Sequence, residues 1–242
     1  MKFVWALRSI VFIVLQTVSV IVVSLVGLLF WFASNKFKYA YLKVWVSFVV
    51  LLLRVVCGVK YEVHGKENLD VTQTGLILAR HESAWETFAF QIIFPRLAFV
   101  LKKELLNIPF FGWGLRMTSP IAIDRGAGRK AMKQVLDEGT EKLANDGKDD
   151  SWVVIFPEGT RMPVGKLGKI NSGGSLLAKK SGAKTYLVAH NAGQCWAAKD
   201  WVVKPGKIDV YISEAIDVGT LNTAEINKLT EEWFNQYLGR AR

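Results

Sequence analysis

The 242-residue sequence predicts an α/β fold: a mixed, largely parallel seven-stranded sheet flanked by helices, with an N-terminal membrane-anchoring helical segment ahead of it. Three observations predict it. No charged residue stands between positions 9 and 34, a run longer than the roughly 20 apolar residues that cross a bilayer. Beyond Gly58, short β-branched runs alternate with helical ones, the pattern of a sheet covered by helices. Polar clusters of His, Glu and Arg fall where the predicted strands end, which is where α/β sheets hold their ligands. The chain is therefore divided into an anchor over 1–57 and an α/β domain over 58–242.

The anchor is apolar on every face from Ile10 to Phe32. It exceeds the roughly 7–15 apolar residues of a signal peptide and lacks a small-residue cleavage site, so it is expected to be retained. A second apolar stretch, 44–53, is bracketed by Lys43 and Arg54 and is too short to span unless both charges snorkel. It can lie in the interface, return as the second arm of a hairpin, or serve as a core helix. Lys36, Lys38, Lys43 and Arg54 would sit at headgroup phosphates, each worth about 1 kcal/mol near an anionic surface. A hairpin with both ends cytoplasmic accommodates these lysines together with Lys2 and Arg8 at the other end.

Strands are expected at 59–64, 76–80, 98–101, 120–124, 153–156, 185–189 and 208–213, each a short run rich in Val, Ile, Leu or Ala. Helices are expected at 84–93, 129–144, 175–181 and 223–237. Ser83 suits the cap of the first, while Gly126, Gly128 and the polar stretch 145–150 read as loops.

A net charge of +10 points to phosphate-bearing partners. Lys and Arg are scattered, with no arginine-rich arm and no Cys/His finger spacing, so anionic lipid is favoured and nucleic acid is not expected as a partner. Cys57 and Cys195 lie far apart in apolar surroundings and read as buried, reduced thiols. Without a CxxC pair or another metal-spaced cluster, no metal is expected.

Two clusters carry chemistry. His81 directly follows a strand, and Glu86 comes five residues later. Five residues of helix rotate about 500°, so the two meet only if His81 is on the loop and Glu86 on the first helical turn. Glu86 then either orients the imidazole or, as the acid of the capping box Ser83-Ala84-Trp85-Glu86, satisfies a backbone amide. Phe156-Pro157-Glu158-Gly159-Thr160-Arg161 ends a buried strand and offers a glycine turn, a hydroxyl and a guanidinium fork that suit a phosphate monoester. His64, in an alternating strand, reads as structural, and His190 at a strand end is a secondary candidate for the site.

Taken together, His81 with its acid, the strand end Ile123-Asp124-Arg125, the hexapeptide FPEGTR and the later apolar strand resemble the four motif blocks of the glycerolipid acyltransferase family, the bacterial lysophosphatidate acyltransferases in particular. The likeness runs from about residue 59 to 196 and includes Lys102-Lys103-Glu104-Leu105 and Ile108-Pro109-Phe110-Phe111-Gly112. One position departs from the family pattern: Glu86 stands where Asp is usual.

The resemblance implies transfer of a fatty acyl group from a thioester, acyl-CoA or acyl carrier protein, to the sn-2 hydroxyl of 1-acyl-sn-glycerol 3-phosphate, without a cofactor. His81 would be the general base and Glu86 its partner. Lys103, Arg125, Glu158, Gly159, Thr160 and Arg161 would bind the acceptor, with backbone amides near Gly159 or Glu82 stabilising the oxyanion. The implied location is the inner membrane, catalytic domain on the cytoplasmic face. Other acceptors, such as glycerol 3-phosphate or a different lyso-lipid, remain open, as does a non-catalytic lipid-binding module. A serine hydrolase is disfavoured because no G-x-S-x-G elbow is present.

Overall fold

The computed structural model describes residues 1–144, 146 and 151–238. Most of the loop expected over 145–150 lies outside the described residues. Two long helices come first, α1 (Lys2–Leu28) and α2 (Asn35–Val55), followed by β1 (Val59–His64), β2 (Gly75–Ala79), α3 (Trp85–Ile93) and β3 (Leu97–Lys102). Then come α4 (Phe111–Arg116), β4 (Ile121–Ile123), α5 (Arg129–Lys142), β5 (Trp152–Ile155), α6 (Gly173–Ser181), β6 (Lys184–His190), α7 (Ala192–Cys195), β7 (Gly206–Ile212) and α8 (Thr223–Leu238). All seven expected strands and four expected helices are present, with ends displaced by one or two residues. The short helices α4 and α7 were not expected, since one or two turns carry too little periodicity to be read.

The strands form one sheet in the order β1-β7-β6-β2-β5-β3-β4. Every neighbouring pair is parallel except β6 and β7. The central strands are buried on both faces, which their unbroken apolar sequences require. On β2, Ile77 and Ala79 face a core shared with α2 and α3, while Leu76 and Leu78 face a core shared with α5, α6 and α8. Trp152 and Val154 of β5 take the first side, and Val153 and Ile155 the second. At the β1–β7 edge the sheet is buried mainly on one side, with Tyr237 of α8 stacked on Tyr211 across the other, and β7 alternates accordingly, with Ile208, Val210 and Ile212 inward.

Of the roles open to 44–53, packing in the core is the one the side chains display. Leu42, Trp45, Val46, Val49, Val50 and Leu53 of α2 are buried in the first core, although Val44, Phe48, Leu51 and Val55 remain exposed on the opposite face. Ser34 caps the helix by accepting the Phe37 amide at 3.3 Å.

Helix α1 is long and apolar enough to cross a membrane, and 17% of its most apolar window is buried, unlike the core helix of a soluble protein. It nevertheless touches the domain along its length. Ser9 accepts the Val203 amide at 2.8 Å, and Phe12 meets Trp196 edge-on at 5.6 Å. Trp45 donates to Ser19, Tyr41 to the Val23 carbonyl, and Ser24 to the Phe110 carbonyl at 2.7 Å. At Gly27 the helix comes so close to Met117 that an added Cβ would lie 2.3 Å from its methyl carbon.

Candidate active site

Because β2, β5, β3 and β4 are adjacent and parallel, their carboxyl ends fall along one edge of the sheet. That edge gathers His81 after β2, the turn 156–161 after β5, Lys102 at the end of β3 and Arg125 after β4. Together with α1, α2 and α3 they enclose a cavity of about 560 Å³. Val20, Val23, Leu42, Trp45, Val46, Phe88, Phe99 and Leu101 form apolar walls, while Lys102, Arg125, Arg161, Lys199, Thr160 and Gly159 supply polar and cationic ones. No carboxylate among the described residues lines it.

His81 reaches this cavity with its orientation fixed from several directions. Its Nδ1 lies 2.7 Å from Glu86 Oε1. A carboxylate there selects the tautomer with hydrogen on Nδ1 and leaves Nε2 as the basic nitrogen. Phe156 stacks on the imidazole at 4.1 Å, with the planes 14° apart. The backbone amide of His81 donates to Glu158 Oε2 at 3.0 Å, and its carbonyl accepts the Met162 amide at 2.7 Å.

The two roles weighed for Glu86 coexist. Its Oε1 accepts from the Ser83 amide at 2.8 Å and the Glu82 amide at 2.9 Å, as well as from His81, so the helix cap is also the orienting acid. Burial pushes the Glu86 carboxyl up, but the neighbouring imidazoles of His190 and His81 and the Ser83 amide outweigh it and hold the group below its usual range. Its Oε2 is buried with no partner among the described residues. Beneath the loop, Arg80 and Glu82 form a buried ion pair at 2.6 Å. Arg80 also donates to the Lys166 carbonyl, and Glu82 accepts the Gly193 amide.

Gly159, Thr160, Arg161 and Arg125 line the cavity as expected, and Arg125 donates to the Gly159 carbonyl. Two candidates sit differently. Lys103 does not line the cavity; it is about half exposed and pairs with Asp124 at 2.6 Å, an ion pair that raises the lysine and lowers the acid. Its neighbour Lys102 takes the cavity position. The signal for Lys102 was in the sequence: it directly follows the predicted strand, and strand ends are where ligand-binding groups collect. Glu158 likewise lies off the cavity, buried beneath the turn, with its other oxygen accepting the Gly168 amide at 3.1 Å.

His190 is not a wall of the cavity either. Its Nε2 lies 3.0 Å from the Arg80 carbonyl and its Nδ1 accepts the Ala192 amide at 3.2 Å, so both nitrogens are held by backbone. His64 stacks on Tyr211 and bonds Asp209 at the far edge of the sheet, where Glu62 and Asp209 also hold the Lys207 ammonium. Cys57 and Cys195 are free and buried, and burial pushes each thiol up to about 11. Of the amides considered for an oxyanion, those of Glu82 and Gly159 already bond Glu86 and the Phe156 carbonyl. Sequence reasoning missed the cavity walls from α1 and α2, because nothing in an apolar helix marks which side faces a ligand.

Comparison with known proteins places the chain in a family. A family profile described as Acyltransferase matches residues 60–193. A 1-acyl-sn-glycerol-3-phosphate acyltransferase of Pseudomonas aeruginosa is 45% identical over 195 residues, 79% of this chain and 74% of that protein. One from Saccharomyces cerevisiae is 28% identical over 185 residues, 75% of this chain and 59% of that protein. The crystal structure of the 1-acyl-sn-glycerophosphate (LPA) acyltransferase PlsC from Thermotoga maritima shares the fold, with a TM-score of 0.82 at 21% identity, covering 100% of this chain and 99% of that one.

Proposed function

The chain belongs to the acyltransferase family, and we propose that it acylates the sn-2 hydroxyl of 1-acyl-sn-glycerol 3-phosphate to give phosphatidic acid. The observation that carries this reading is the His81–Glu86 pair opening onto one cavity whose walls are apolar in one part and cationic in another. A lysophosphatidate has that same division into acyl chain and phosphate. Relatives named for this reaction support the choice of acceptor.

In the reaction, Nε2 of His81 takes the proton of the acceptor hydroxyl while that oxygen attacks the thioester carbonyl. The C–O bond forms, the C–S bond breaks, and the departing thiolate recovers the proton from the imidazolium. Such a base contributes about 10²- to 10⁴-fold. Glu86 keeps Nε2 aimed at the cavity and stabilises the imidazolium, with the Phe156 face stacked beside it. Lys102, Arg125 and Arg161 hold the phosphate. The apolar walls from α1, α2 and α3 take the acyl chain. The donor is an acyl thioester of coenzyme A or of acyl carrier protein, and the reaction needs no cofactor. The protein works at a membrane, the cytoplasmic face of the inner membrane in this proposal, where the exposed apolar faces of α1 and α2 meet lipid.

The test is product formation from lysophosphatidate and acyl-CoA by detergent-solubilised protein, with thiol release and phosphatidate measured together. Wild type makes ester and thiol in equal amounts, and His81→Ala makes neither. If folded, lipid-bound wild type yields no ester with any donor or acceptor of a panel, the acylation reading is wrong.

A further inference from the structure

Glu158 is the acid of the phosphate-binding turn, and its side chain points the wrong way to bind phosphate. It is 6% exposed and absent from the cavity wall, and both carboxylate oxygens are engaged by backbone. Oε2 accepts the amide of His81 and Oε1 that of Gly168. It therefore ties together three segments: the catalytic loop after β2, its own turn after β5, and the connection leading to α6. The same turn presents Phe156 to the His81 ring and Thr160 and Arg161 to the cavity. Arg125 braces it at the Gly159 carbonyl. A carboxylate accepting two amide hydrogens is a stronger tie than neutral bonds would make.

We infer that Glu158 is a positioning residue that fixes the His81 backbone to the phosphate-binding turn, setting the distance between the base and the bound acceptor, and that it does not itself touch the acceptor. This rests on the reading of His81 as the base. Its function follows from how steeply rate depends on placement, since a shift of about 1 Å at a reacting group costs about 10²-fold. Glu158→Gln keeps the shape but has one oxygen to accept and a donor to set against the other amide. Glu158→Asp keeps both acceptors on a shorter stem, and Glu158→Ala removes them.

The experiment is steady-state kinetics of the full chain in detergent, with circular dichroism to normalise rates to folded protein. Glu158→Gln is expected to lower kcat about 10- to 100-fold while KM for lysophosphatidate stays within about twofold, because the phosphate-binding side chains are untouched. Glu158→Asp recovers part of the kcat lost in Glu158→Ala. A tenfold rise in KM with kcat intact would make Glu158 an acceptor-binding group and overturn the inference. Unchanged turnover per folded molecule, or an Asp variant no better than Ala, would overturn it too, leaving a tie of structural value alone. Failure of the acylation reading is separate, because it shows in the wild type and in His81→Ala.

Discussion

A single oxygen of Glu86 receives three donors, two backbone amides and the His81 ring, and this concentrates the site's vulnerability in one atom. Glu86→Gln keeps an oxygen there but loses the charge facing the imidazolium, so kcat should fall about 10²- to 10⁴-fold. Glu86→Asp keeps the charge and withdraws it by about one bond length, so it should retain activity within about tenfold of wild type; kcat measured for both variants separates charge from reach. The acid limb of stability follows from the same group. Its folded carboxyl is held below the usual range, so it stabilises the fold above the unfolded value and loses that contribution as pH falls through the folded one. Urea titrations between roughly pH 3 and 7 should show a flatter acid decline in Glu86→Gln than in wild type. At this scale the sequence was legible where identity alone decides chemistry, as at His81 and Arg161. It was less legible at Lys103 and Glu158, where the direction of a side chain decides, and adjacent residues of a strand end point opposite ways.

At the scale of elements, the seven strands were readable because each buried run is short and bounded by polar or glycine residues, and the parallel order follows from intervening helices. What the runs did not reveal is the reversal at β6–β7, which sets no different pattern within either strand. Ile77 of β2 is fully buried in the first core, and Ile77→Ala should cost about 2–5 kcal/mol by leaving a cavity. Gly65 follows β1 with φ +79°, and a Cβ there would lie 2.2 Å from the Ile212 carbonyl oxygen. Gly65→Ala should therefore destabilise by about 1–3 kcal/mol, read as a lower urea midpoint at unchanged slope. A midpoint equal to wild type would mean the turn relaxes without loss.

At the scale of the molecule, the placement of α1 decides how the protein meets a membrane. Its contacts run from Ser9 at the 196–204 connection to Gly27 at Met117, a helix length of about 27 Å. A bilayer core is about 30 Å thick. Were α1 to cross it, the domain segments docked at both ends would be drawn in as well, among them Lys199, Asp200 and Lys204. The helix should instead lie against the domain with its outer side in lipid, and the N-terminus should be on the same side of the membrane as the domain. Cysteines placed at Lys2 and Glu231 should then react with a membrane-impermeant maleimide from one side, and labelling from opposite sides would rule this arrangement out. The sequence displayed the length and apolarity of α1 but not this docking, which is carried by single hydroxyls and a glycine. The docking also imposes an order on biosynthesis. Ser9 waits for a partner 194 residues downstream, so α1 can pack on α2 early but takes its full seat only once residue 203 has been made. Until then the first helix has α2 and lipid to shelter in, and it should meet the membrane before the walls of the cavity are complete.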